Sequence, residues 1–155
     1  MKLRIIAVGQ RMPAWVADGY REFAGRMPRE LTMELVEIAA SRARRAGDVD
    51  RAREEEGERL LTAAGEARVV ALDEGGRSLA TRALAERLDG WMMDGRDVAL
   101  LVGGADGLSR ACRQRAELVW SLSPLTFPHM LVRVILAEQL YRAWTVIRNH
   151  PYHRD

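Results

Sequence analysis

A chain of 155 residues, 48% hydrophobic and 30% charged, has the composition of one globular domain with room for a buried core. A formal net charge of +2 excludes a strong overall field as the basis of nucleic-acid binding. The single cysteine, Cys112, excludes an internal disulfide and a thiolate zinc cluster, and it fits a reducing, cytoplasmic setting.

The pattern alternates between strand and helix. "LRIIAVG" (Leu3 to Gly9) is a short β-branched run, the mark of a strand covered on both faces. It is too short for a signal peptide, and no stretch of the chain is apolar for long enough to span a bilayer. Pro13 opens a helix with Val16, Tyr20, Phe23, Ala24 and Met27 at helical spacing. "LTMELVEIA" (Leu31 to Ala39) reads as a second strand. "SRARRAGD" (Ser41 to Asp48) is a polar connection, after which Asp48 or Asp50 caps a helix running through Leu61 and ending near Gly65. Glu54, Glu55 and Glu56 on that helix read as a solvated face. Lys2 is the only lysine of the chain, and a base-composition preference for arginine codons explains this better than phosphate binding does.

"ARVVALD" (Ala67 to Asp73) is a third strand, with "EGGRS" as the turn after it. The next helix carries Leu84, Leu88, Trp91 and Met92 on one face and stops at Gly95. "DVALLVGG" (Asp97 to Gly104) is a fourth strand. Ser109 then caps a helix to about Trp120, and "SLSPLTFPH" (Ser121 to His129) follows, a poor central strand because its prolines remove ladder donors. The last helix, Met130 to Arg148, is apolar on more than one side and therefore needs cover from its own domain, a second subunit, or both. These elements predict a single α/β domain, residues 1 to 155, with a mainly parallel sheet.

Three segments stand out chemically. "LLVGGADGLS" (Leu100 to Ser109) lies at the carboxyl end of a strand, where open α/β sheets bind ligands. Its glycines match neither the dinucleotide fingerprint nor a phosphate loop. "SLSPLTFPH" offers unpaired backbone groups to a purine edge and apolar walls from Leu122, Leu125 and Phe127. The tail "NHPYHRD" carries Tyr152, His153 and Arg154, suited respectively to stacking, proton transfer and holding an anion. The spacing of His129, His150 and His153 matches no zinc pattern, so no metal is expected.

Together "LLVGGADGLS", "WSLSPLTFPHMLVRVILAEQLYRAW" and "NHPYHRD" closely resemble the ribosomal RNA large subunit methyltransferase H family, small members of the SPOUT-type methyltransferases with a C-terminal trefoil knot. The resemblance runs from Met1 to Asp155. It implies transfer of a methyl group from S-adenosylmethionine to N3 of a pseudouridine in large-subunit rRNA, by a homodimer acting on assembled ribosomes. It places cofactor contacts at Leu72, at Gly103 and along Leu122, Ser123, Pro124, Leu125, Thr126 and Phe127. "ADG", at Ala105 to Gly107, departs from the family's commoner "PEG" but keeps its glycine. Beside this implication, His153 is expected as base or proton relay, Arg154 as anion holder and Tyr152 as the residue that positions the base, with His129 and Arg133 next in rank. Two other readings stay open: a knotted-class tRNA methyltransferase, and a ribosome-binding factor without catalysis.

Overall fold

The computed structural model describes residues 1–154, so the last residue of the expected domain and tail, Asp155, lies outside the described residues. Its elements in chain order are β1 (Lys2–Val8), α1 (Ala14–Ala24), β2 (Thr32–Ile38), a 3-10 turn (Arg42–Arg44), α2 (Val49–Ala64), β3 (Arg68–Ser78), α3 (Thr81–Asp94), β4 (Val98–Val102), α4 (Arg110–Arg115), β5 (Leu118–Ser121) and α5 (His129–Ile147). All five strands pair in parallel in the order β2-β1-β4-β3-β5.

Side-chain alternation along the strands feeds two cores. Leu3, Ile5 and Ala7 of β1, with Val98, Leu100 and Val102 of β4, pack under α1, α3 and α5 through Tyr20, Leu84, Leu88, Leu136 and Leu140. Ile6 and Val8, with Ala99 and Leu101, face the opposite way onto Leu60 of α2 and Cys112 of α4. Every residue of β4 is buried, as a strand covered on both faces must be. The Cys112 thiol is among these buried groups, and burial pushes its pKa up, which suits an apolar core role. Helix α5 packs against both α1 and α3. A Cβ on Gly19 would lie 3.1 Å from Val134, so the glycine permits the close approach of α1 to α5.

Three local expectations need correction. The segment after Ser109 is helical only to Arg115, and Leu118–Ser121 is a fifth strand beside β3. "LVW" is apolar and β-prone, and pairing with the exposed edge of β3 outweighs continuation of a six-residue helix. "EGGRS" is not a turn: β3 continues through it to Ser78, and the register with β5 shifts between Leu72 and Arg77. Gly76 makes this possible, because a Cβ there would lie 2.6 Å from the Val119 carbonyl oxygen. Finally, Glu56 is not part of a solvated face. It is 2% exposed, accepts from the Ser41 amide at 2.9 Å and pairs with Arg44 at 2.6 Å. Asp48 is the α2 N-cap, accepting from the Arg51 amide.

Candidate active site

The carboxyl ends of β3, β4 and β5 open into a cavity of about 540 Å³, within the range of small-molecule sites. Leu72 closes its wall from β3, Gly103 from the end of β4, and Leu122, Ser123, Leu125, Thr126 and Phe127 from the segment after β5. Of the residues expected to hold a cofactor, only Pro124 is missing from the lining; it is exposed. The proline-interrupted segment is shaped by its own serines. Ser121 donates to the Ser123 carbonyl at 3.1 Å, and the Leu125 amide donates to Ser123 Oγ at 3.0 Å. That leaves Leu125 69% exposed at the mouth, a largely uncovered apolar side chain.

The opposite wall is the loop from Gly103 to Gly107, closed by the Gly107 amide donating to the Gly104 carbonyl at 3.1 Å. A Cβ on Gly103 would come within 2.5 Å of the Gly107 carbonyl carbon. Glycine is therefore required by the loop's own backbone. Gly107 sits at φ +77°, a left-handed conformation that favours glycine.

Carboxylates missed in the sequence also line the cavity: Asp73, Glu74 and Asp106. Asp106 forms an ion pair with Arg44, whose other terminal nitrogen pairs with buried Glu56. The "ADG" variation marks Asp106, but nothing in the sequence pairs it with an arginine 62 positions earlier.

Of the five residues considered for catalysis, the cavity brings in one. His129 lines it at the first turn of α5, and its pKa is lowered first by burial, then by the nearby charges of Arg133 and Arg44. The imidazole is therefore neutral near pH 7 and has a free lone pair. Arg133 is fully buried and turned away into the ends of the neighbouring strands. It donates to Glu37 Oε2 at 2.8 Å, to the Gly9 carbonyl at 2.8 Å and to the Val8 carbonyl at 3.4 Å. In one chain it is a clamp between α5, β1 and β2.

The tail lies elsewhere. Asn149 at φ +55° turns the chain back after α5, and the His150 amide donates to the Thr145 carbonyl at 2.9 Å. Tyr152 packs edge-on against Tyr141 at 4.9 Å between centroids, lies 4.8 Å from the Arg142 guanidinium and donates to Glu138 Oε1 at 2.9 Å. His153 Nδ1 is 3.2 Å from Arg142 Nη1, and Arg154 is exposed. Glu138 stands nine residues along α5 from His129, about 14 Å at helical rise. Within one protomer Tyr152, His153 and Arg154 do not line the cavity.

The whole described chain bar its final residue, 1–153, matches the family described as predicted SPOUT methyltransferase. The chain belongs to the SPOUT methyltransferase family. It is 60% identical over 154 residues to the ribosomal RNA large subunit methyltransferase H of Alkalilimnicola ehrlichii, covering 99% of each chain. It is 59% identical to the protein of that name from Thioalkalivibrio sulfidiphilus, over 100% of both. In fold it is similar to the crystal structure of a putative methylase family protein from Neisseria gonorrhoeae, at TM-score 0.54 and 12% identity over 97% of this chain and 95% of that one. Methyltransferases of the SPOUT family use S-adenosylmethionine, and the cavity suits that molecule. It offers apolar walls for an adenine, carboxylates for a cationic or hydroxyl-bearing partner, and no phosphate-binding loop.

Proposed function

We propose that this SPOUT methyltransferase methylates N3 of a pseudouridine in large-subunit rRNA, working as a homodimer on assembled ribosomes, with the trefoil knot of its family in the C-terminal segment. The observation that carries the substrate is end-to-end similarity, at 53–60% identity, to relatives named for large-subunit rRNA methylation.

S-adenosylmethionine supplies an activated methyl on a sulfonium, so the protein's share is alignment and removal of one proton. Leu72, Gly103 and the Leu122–Phe127 segment hold the donor; alignment of this kind contributes several kcal/mol, on the order of the entropy saved in intramolecular reactions. When bound, the donor would give its methyl to N3 and keep the electron pair on sulfur, which leaves the protein to have the N3 proton taken by a base. Base assistance adds roughly 10²–10⁴-fold.

The tail serves this step across the dimer in our reading: His153 takes the proton, Arg154 steadies the imide anion and Tyr152 positions the base. Its distance from the cavity of its own chain supports a role at a second copy's cavity. The half-buried Leu131, Val134 and Ile135 of α5 supply apolar surface for such a copy. A second reading has His129 as base, favoured by its place in the lining and its lowered pKa.

The test uses isotopically labelled S-adenosylmethionine, ribosomes lacking the modification, and nucleoside mass spectrometry. We expect label in 3-methylpseudouridine, and a dimer lacking Tyr152 to Asp155 that keeps cofactor affinity and loses transfer. Label in tRNA would overturn the substrate; near-normal transfer by the shortened dimer would return the tail to a structural role. Loss of transfer in His129→Gln, with the tail dispensable, would move the base to His129.

A further inference from the structure

Sheet order puts β1 beside β4 and β2 beyond β1, so the loops at their carboxyl ends lie on the β4 side of the cavity. The Gly9 amide donates to the Ile38 carbonyl at 2.7 Å, locking those two ends together. The glycine loop rests on the same edge: a Cβ on Gly104 would be 3.2 Å from Val8 and 3.8 Å from Arg44 Nη2. On the side toward α5, a Cβ on Gly9 would be 3.7 Å from His129 Nε2.

This edge carries four arginines with different assignments. Arg44 is spent internally, held between Glu56 and Asp106. Arg11, Arg42 and Arg45 are exposed, and among the described residues none of the three pairs with a carboxylate. The nearby acids are engaged elsewhere, Asp48 in capping α2 and Asp50 with Arg53. Arg42 and Arg45 are three apart around a 3-10 turn, where such positions eclipse and share one side. The turn is fixed by Ser41, which accepts from the Ala43 amide at 3.1 Å while its own amide donates to buried Glu56. Arg11 holds φ +65°, a conformation uncommon outside glycine and costly enough to suggest a use.

We propose that Arg11, Arg42 and Arg45 form an RNA-phosphate clamp on the rim beside the cavity, tied to the cofactor loop through the Arg44–Asp106 ion pair. The proposal rests on the reading that the substrate is RNA. With a net charge of +2, exposed guanidinium groups on neighbouring loops, without a carboxylate partner among the described residues, are where this protein can hold phosphate. Phosphate contacts of this kind fix register without reading sequence.

The experiment measures binding to unmodified large ribosomal subunits and to polyuridylate across a salt series, for the wild type and for Arg42→Gln/Arg45→Gln. Each phosphate contact contributes roughly 0.7 to the slope of log K against log salt for single strands, so the double variant should lose about 1.4 with both ligands. Adding Arg11→Gln should remove a further 0.7 or so, and Arg42→Lys/Arg45→Lys should restore the slope because counterion release needs only the charge. Thermal midpoint and S-adenosylmethionine affinity report that the fold and cavity are intact. An unchanged slope in the double variant overturns the clamp. A fall with ribosomal subunits but not with polyuridylate also overturns it, by pointing to an acidic protein surface instead. Failure of the wild type to bind either ligand removes the RNA reading itself, which separates the two failures.

Discussion

Replacing Arg133 by methionine keeps most of the side-chain length and deletes the charge. The wild-type guanidinium is fully buried and donates to Glu37 and to the carbonyls of Gly9 and Val8, so the variant strands two backbone acceptors and one carboxylate. Breaking one side of a buried pair costs about 3–5 kcal/mol. The Glu37 side chain is 31% exposed and regains some water, which places the loss at the lower end, about 3 kcal/mol. For a chain of this size that is a fall of roughly 6–12 °C in melting temperature. Urea unfolding at fixed protein concentration checks it, with the midpoint moving and the slope unchanged. A cycle with Glu37→Gln should show about 1–3 kcal/mol of coupling, because the second substitution removes a charge already orphaned. A loss below about 1 kcal/mol, with methyl transfer abolished in folded protein, would refute the clamp and place Arg133 in the chemistry.

Two further outcomes follow from the cavity walls. Gly103→Ala puts a Cβ 2.5 Å from the Gly107 carbonyl carbon, so one backbone must move; we expect about 1–3 kcal/mol of destabilisation and a marked loss of S-adenosylmethionine affinity by calorimetry, and wild-type values for both would show that the loop yields freely. His129 has its folded pKa below the ordinary 6.5, so the unfolded chain binds the proton more readily. Its contribution is fully present above about pH 6.5 and is lost as pH falls from there through the folded value. The wild type should therefore lose stability faster than His129→Gln between neutral and mildly acid pH, and parallel unfolding midpoints would contradict the shift.

What the sequence made legible follows the range of the interactions. β1 and β4 announce themselves because strands covered on both faces carry an unbroken apolar run, Ile5 to Val8 and Val98 to Val102, and the α2 cap was narrowed to Asp48 or Asp50 because a cap acts on amides two or three residues away. β5 was hidden for the opposite reason. Four residues carry too little periodicity to separate strand from helix, and only their pairing with β3, some fifty positions earlier, decides it. The β3 extension depends likewise on Gly76 lying against Val119, a contact no local rule supplies.

The same divide runs through the candidate site. The segment from Ser121 to His129 stood out because its prolines break strand rules, the family resemblance named Gly103 and Leu122–Phe127, and most of these residues line the cavity. Glu56 read as a solvated charge, and nothing singled out Arg44 as its partner or Asp106 as a third member, since burial of a carboxylate by a distant arginine leaves no trace in spacing. Arg133 was ranked for chemistry on its residue type, and only the third dimension shows its two terminal nitrogens engaged by Glu37, Gly9 and Val8. The tail is the remaining case: its residue types suit a nucleotide, yet in one chain they pack on Glu138, Tyr141 and Arg142. A side chain that is furnished for chemistry and stands about 14 Å along α5 from the cavity must either be structural or act on a second copy. The exposed apolar Leu125 at the cavity mouth gives that second copy a place to arrive. Leu125→Asp should then weaken dimerisation and methyl transfer together while leaving the melting of the single chain nearly unchanged, read by sedimentation over a dilution series. Full transfer by a Leu125→Asp dimer of undiminished affinity would separate the mouth of the cavity from the subunit contact.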